Sequence, residues 1–220
     1  MIKKLTFIIA TVFMTSISIA QISKANNNTA AEAKKMLDEV TTKFKNYKTV
    51  EAAFTLTIEN SAGKNLGNKK GTLSMKGLKY KIKLTGQEMY SDASNIWTYD
   101  QAANEVTVNK YDPASNSITP QKLFTNYYDK DFSFKKNGMV KIGSKTMNEL
   151  ELTPIDKSKS FSKVLIYIDN GTINTTKVFE KNGNKYTYAI GNMKTNTPIT
   201  DASFVFDAKS HPNVEVVDLR

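Results

Sequence analysis

Residues 71–108 read GTLSMKGLKYKIKLTGQEMYSDASNIWTYDQAANEVTV, and the spacing of their apolar side chains decides the fold. Leu78, Tyr80, Ile82 and Leu84 alternate with Lys79, Lys81, Lys83 and Thr85, the two-residue period of a strand with one dry and one wet face. Leu73 and Met75 alternate in the same way just before, and Val106 and Val108 after Trp97. Gly77, Gly86, the Ser91-Asp92 region and Asp100 to Asn104 fall between these runs, where turn residues belong. The stretch is therefore a meander of short antiparallel strands, and its apolar face needs a cover.

Upstream, Val50 to Glu59 carries Ala52, Phe54, Leu56 and Ile58 on one face, a further strand joined to the meander by the polar loop Asn60 to Lys64. Before it, Thr29 and Glu32 form a capping box that announces a helix. Ala33, Met36, Leu37, Val40, Phe44 and Tyr47 then recur at helical spacing, one apolar stripe with Lys34, Lys35, Asp38, Glu39 and Lys43 opposite. That helix is the natural cover for the sheet.

Downstream, Thr119 and Pro120 cap and open a short helix to about Tyr128, bearing Leu123, Phe124, Tyr127 and Tyr128. The sheet resumes at Phe132 and Phe134, with a turn expected at Asn137-Gly138. Leu150 and Leu152, the apolar run Ser162 to Asp169, Thr176 to Lys181, Tyr186 to Ile190 and a last strand Ala202 to Phe206 follow. Asn170-Gly171 and Asn182-Gly183 are strong hairpin turns. The class is α+β, mostly β, with about ten or eleven strands in one antiparallel sheet wide enough to curl.

Lys3 and Lys4 precede an apolar run from Leu5 to Ile19, and Ser18-Ile19-Ala20 offers small residues where a signal peptidase cuts. The expected division is a signal peptide at 1–20, with a second cleavage site after Ala25, and a single domain at 21–220. An exported protein in the periplasm follows. The chain has no cysteine, which excludes a lipid-anchor cysteine, disulfides and thiolate chemistry. Its net charge of +10 falls to +8 without the leader and is almost all lysine, Arg220 being the only arginine. Lysines on the wet faces of strands suit solvation rather than base readout, so no nucleic acid is expected. The one histidine, His211, sits in a tail-like segment, so neither a histidine-based triad nor a histidine metal site can be built. No enzyme and no cofactor are expected; what remains is a binding surface.

Taken in order, Phe54-Thr55-Leu56, Gly71-Thr72-Leu73, Tyr80-Lys81-Ile82, Ile96-Trp97-Thr98-Tyr99, Pro120 at a helix start, Leu150-Glu151-Leu152-Thr153-Pro154, Phe204-Val205-Phe206 and Val214-Glu215-Val216-Val217-Asp218 resemble the LolA-type periplasmic carriers of outer-membrane lipoproteins. The resemblance implies an unclosed β-barrel plugged by helices, with a hollow that takes acyl chains. It implies acylated lipoproteins as cargo, an inner-membrane lipoprotein-releasing ABC transporter upstream, an outer-membrane receptor as a further candidate partner, and a monomer. On that reading Met36, Leu37, Val40 and Phe44, with Leu123 and Phe124, are displaceable plugs. Met75 and Met89 give adaptable lining, Phe54, Tyr80 and Trp97 give area, and Leu56, Leu73, Ile82 and Leu84 complete the apolar surface. Many members carry an Arg-Pro after the Gly-x-Leu strand, the arginine holding the lid; here Lys76-Gly77 stands there. Three other functions fit the same residues: a sensor of mislocalised lipoprotein, a carrier of other lipids, and an exported hydrolase, whose sign would be a cluster of buried, pKa-shifted carboxylates.

Overall fold

The computed structural model describes residues 19–112 and 131–220. One helix, α1 (Ile19–Lys45), precedes twelve strands: β1 (Val50–Glu59), β2 (Asn65–Lys76), β3 (Lys79–Leu84), β4 (Gln87–Ser91), β5 (Asn95–Asp100), β6 (Glu105–Lys110), β7 (Phe132–Ile142), β8 (Lys145–Pro154), β9 (Phe161–Asp169), β10 (Thr172–Glu180), β11 (Lys185–Thr195) and β12 (Glu215–Asp218). The expected helix at Pro120 to Tyr128, and with it Leu123 and Phe124, lies outside the described residues, as does the leader up to Ser18.

The helix begins ten residues before the capping box, so Thr29 is interior to α1 rather than its cap. No glycine or proline interrupts Ile19–Lys45, and nothing in the sequence stops the helix from continuing back through the asparagines. Its apolar stripe is the expected one.

The strands form a single open sheet in the order β12-β6-β5-β4-β3-β2-β1-β11-β10-β9-β8-β7. β1 is central because it pairs both with its hairpin partner β2 and with β11, which returns from the far end of the chain. Every pairing is antiparallel except the last, β12 against β6. A bulge where Ala52 and Phe54 of β1 face Met193 and Ile190 of β11 adds bend at the centre of the sheet.

Two local expectations change. Asn137-Gly138 is a bulge within β7, with Gly138 at φ +122°, and the turn comes five residues later, at Gly143. Glu149 and Glu151 of β8 accept from the Asn137 side-chain amide (2.8 and 3.3 Å), which holds the bulge in the ladder. Ala202 to Phe206 is not a strand; Asp201–Phe204 is a single 3-10 turn that buries Phe204. The tail instead supplies the twelfth strand. The Asn170-Gly171 hairpin turn is present, with both residues at positive φ (49° and 67°).

Candidate functional site: the inner face of the sheet

Residues paired across an antiparallel ladder share a face, so the register assigns sides. Val50, Ala52, Phe54 and Leu56 of β1 oppose Met75, Leu73, Gly71 and Lys69 of β2. Leu73 and Met75 oppose Ile82 and Tyr80, and Ile82 opposes Met89. On the other side, Leu56 is linked through Tyr188, Thr176 and Ile166 to Leu150. This is the face that α1 covers.

The helix meets it in two zones. Ala33, Leu37 and Val40 pack into a cluster with Leu150, Leu152, Phe161, Val164, Ile166 and Ile168, with Met36 alongside. Leu37 is fully buried, and its removal from water is worth about 1.5–3 kcal/mol. Further along, Phe44 and Tyr47 pack edge to face (6.1 Å) against Val50, Leu73, Met75 and Tyr80. Phe54, Ile82, Met89 and Met193 join this second cluster half-buried. Leu84, opposite Gly71, is also half-buried. The surface is apolar but incompletely covered.

Between the end of α1 and the sheet lies a cavity of about 20 Å³, lined by Val40, Phe44, Tyr47, Val50, Ala52, Leu73, Ile173, Ile190 and Met193. It would hold roughly one water, whereas a ligand pocket ordinarily measures about 300–1,000 Å³. Among the described residues, the space between the end of α1 and the sheet is thus largely filled by the protein's own side chains. Two lysines fix the helix over it: Lys43 Nζ donates to the Asn170 carbonyl (3.2 Å) and to Thr172 Oγ1 (3.0 Å), and Lys136 pairs with Glu32 (3.0 Å).

Tyr80, 1 % exposed, is among the most deeply buried polar side chains of this face, beside its fully buried ladder partner Ser91. Burial pushes its hydroxyl up to about 12 against a hydrogen bond with Ser91 that works to lower it, and the Met89 sulfur lies 3.7 Å away. It stays neutral across physiological pH and keeps the face apolar.

Trp97 lies elsewhere. It opposes Tyr90 and Val108, while Met89 opposes Thr98. It therefore points away from α1, with Tyr90, Tyr99 and Val106. Phe206 and Val214 of the C-terminal segment cover that outer patch. The His211 ring stacks on Phe206 (4.5 Å) and meets Tyr99 edge-on (4.7 Å). The Asp207 carbonyl lies 2.9 Å from His211 Nδ1, so that nitrogen donates to it. The outer patch was missed because alternation says which residues share a face, not which side of a sheet that face lies on.

Lys76, standing where the resemblance implies an arginine, also points outward. Its Nζ binds Asp201 (2.8 Å) and the Ile199 carbonyl (3.2 Å), and Lys79 takes the other Asp201 oxygen (2.9 Å). These two lysines hold the Asp201 carboxyl down at about 2. Lys76 fastens the C-terminal segment to the back of the sheet.

Among the described residues the one buried carboxylate is Glu88, also on the outer face and bonded to Tyr90, Lys83 and Gln101. Burial works to raise its pKa, but the bonds from Tyr90 and Lys83 outweigh it and the net shift is downward. A lone, satisfied carboxylate outside the apolar face is not the cluster a hydrolase would need. No helix among the described residues is long and apolar enough to cross a membrane.

The fold and this face define a class: an open antiparallel sheet bent about one amphipathic helix, with an apolar interior and no constellation of reactive groups among the described residues. A sequence model described as outer membrane lipoprotein carrier protein LolA matches residues 45–207. The outer-membrane lipoprotein carrier protein of Pasteurella multocida is 31 % identical over 176 residues, 78 % of this chain and 81 % of that protein. The protein of the same description from Cupriavidus taiwanensis is 30 % identical over 121 residues, 54 % of this chain and 56 % of that one. An uncharacterized conserved protein from Thermus thermophilus shares the fold, with a TM-score of 0.56 at 11 % identity, over 85 % of this chain and 99 % of that structure. The chain belongs to the LolA family of outer membrane lipoprotein carrier proteins.

Proposed function

We propose that this protein is a periplasmic carrier that takes the acyl chains of lipoproteins against the inner face of its sheet and moves them from the inner membrane towards the outer membrane. The observation that carries this reading is the half-buried row Phe54, Ile82, Leu84, Met89 and Met193, an apolar surface whose cover among the described residues is a helix with its own apolar stripe. A sixteen-carbon chain leaving water gains on the order of 12 kcal/mol, at roughly 0.8 kcal/mol per methylene, so unescorted crossing is too slow to be useful. A carrier must match membrane binding without greatly exceeding it. A surface already satisfied by α1 does that, because acyl contacts replace helix contacts instead of adding to them.

On this proposal the site comprises Met36, Leu37, Val40 and Phe44 on α1 and Phe54, Leu56, Leu73, Met75, Tyr80, Ile82, Leu84 and Met89 on the sheet, with Leu123 and Phe124 retained from the sequence reading. Trp97 is not part of it. A cavity of about 20 Å³ requires α1 to shift before a chain is admitted. Residues 1–20 act as the export signal, an inner-membrane lipoprotein-releasing ABC transporter loads the carrier, and an outer-membrane receptor is the candidate acceptor. The protein is a carrier and performs no catalysis. Purifying it from its own periplasm and identifying bound molecules by mass spectrometry tests the proposal. Co-purified triacylated polypeptide is expected; free glycolipid or phospholipid alone would mean a carrier of other lipids.

A further inference from the structure

Three connections lie together at the end of the sheet opposite the Asn170-Gly171 turn: β1–β2, β8–β9 and β10–β11. The ladder fixes this, since Glu59 opposes Lys185 and Glu180 opposes Phe161. The tips are also knitted to one another. Gly183 sits so close to Ser61 that a Cβ there would lie 2.6 Å from the serine Cβ, and Lys181 N–H donates to the Ser160 carbonyl at 2.9 Å.

The first tip stands beyond the rim. β3 pairs only with Gly71 to Lys76 of β2, so no strand pairs with Asn65 to Lys70 on that side, and every residue from Ser61 to Lys70 is exposed. Within it Leu66 is 57 % exposed, and in the β8–β9 connection Ile155 is 59 % exposed. Lys64, Lys69 and Lys70 flank Leu66 along the chain and Lys157 follows Ile155, all exposed; Lys157 Nζ donates to the Pro154 carbonyl (3.0 Å) and Lys181 Nζ to the Lys157 carbonyl. Among the described residues no carboxylate pairs with Lys64, Lys69 or Lys70.

We propose that this end of the sheet docks on an anionic lipid surface, with Leu66 and Ile155 entering the headgroup region and the lysines meeting lipid phosphates. Apolar side chains set among lysines are the pattern that binds an interface, because each lysine near an anionic leaflet adds attraction while shallow apolar burial adds a term that salt does not screen. At the opposite end Leu78 and Ile142 are also exposed, but the lysines there are largely engaged: Lys43 with the Asn170 carbonyl and Thr172, Lys145 with Asp169, and Lys76 and Lys79 with Asp201. The inference rests on the carrier reading only for its purpose, since a carrier's journey begins and ends at a membrane.

The test is co-flotation of the mature chain with phosphatidylglycerol–phosphatidylethanolamine vesicles and with pure phosphatidylcholine vesicles, at low and at high salt. Binding is expected on the anionic vesicles and should weaken with salt. The triple variant Lys64→Glu, Lys69→Glu, Lys70→Glu should bind on the order of a hundredfold more weakly and Leu66→Asp about fivefold. A charge-matched control, Lys48→Glu, Lys110→Glu, Lys141→Glu, places the same reversal at the other end. An absence of binding to anionic vesicles at low salt overturns the proposal. So does a control that loses as much binding as the tip variant, since net charge alone would then explain the attraction. Uptake of a fluorescent fatty acid is read in parallel on the unmutated chain and on Leu66→Asp and should not differ between them. An unmutated chain that binds anionic vesicles but takes up no fatty acid would count against the carrier reading and leave the docking surface standing, whereas tip variants that bind vesicles as well as the unmutated chain overturn the docking proposal.

Discussion

Phe54 and Gly71 face each other across the β1–β2 ladder, and the phenylalanine ring fills the space that a side chain on residue 71 would need. A Cβ there would sit 2.4 Å from Phe54 Cζ and 2.8 Å from the Lys83 carbonyl. The glycine is required here for room rather than for backbone conformation. It lets an aromatic ring lie across the middle of the apolar face, where it meets Tyr188 at 6.5 Å.

Gly71→Val should therefore destabilise the fold by about 1–3 kcal/mol through overpacking, read from urea unfolding. Pairing it with Phe54→Ala should recover part of the loss, because the clash with the ring disappears. Equal stability of the single and double variants would show that the Lys83 carbonyl, not the ring, is the limiting contact.

Leu37 and Phe44 lie two turns apart on α1 and should behave differently. Leu37 is fully buried, so Leu37→Ala should cost about 2–5 kcal/mol of stability. Phe44 is half-buried at the cavity, so Phe44→Glu should leave a folded protein that no longer takes up a fluorescent fatty acid. Undiminished uptake by folded Phe44→Glu would remove that residue from the acyl site.

Lys43→Met removes both bonds that hold the end of α1 to the β9–β10 turn. An exposed tether of this kind is worth about 0–1 kcal/mol, so fatty-acid association measured by stopped flow should accelerate by no more than about fivefold. A slower rate would mean that Lys43 guides the ligand and does not restrain the helix.

Trp97 is the only tryptophan, and it reports the outer patch. Phe206→Ala should red-shift its emission, while saturating fatty acid should leave that emission nearly unchanged. A large ligand-induced shift would place acyl contacts on the outer face.

The Asp201 carboxyl is held down at about 2 by hydrogen bonds from Lys76 and Lys79. A depressed acid stabilises the folded form above its ordinary range and loses that contribution as pH falls through the folded value. Attachment of the C-terminal segment should therefore weaken between about pH 4 and pH 2, followed by Trp97 fluorescence. Asp201→Asn should abolish the transition in that window.

Much of this architecture can be read from the chain. Val50–Glu59 stands out by its alternation, and Asn170-Gly171 by its turn chemistry, because both signals are local. Asn137-Gly138 uses the same turn-forming residues in a bulge. Whether the chain reverses there depends on which strand lies opposite, and β8 keeps pairing past the extra residue. Trp97 shows a second limit. In β3 the apolar residues face α1, but in β5 Trp97 and Tyr99 face the other way, and only the register through β4 reveals the switch. The parallel strand β12 pairs with residues over a hundred positions earlier, beyond the reach of local periodicity.

The nearly closed cavity beneath α1 has a kinetic meaning. On the carrier reading the helix is an intramolecular competitor for this face, present at a fixed effective concentration set by the short link from Lys45 to Val50, so cargo bound here must displace it. Affinity is then a difference between two occupants of similar greasiness, and the resident helix returns as soon as an acceptor loosens the guest. Such a protein should release its load without any external source of energy, and a free peptide copying Ala33 to Tyr47 should displace bound lipid.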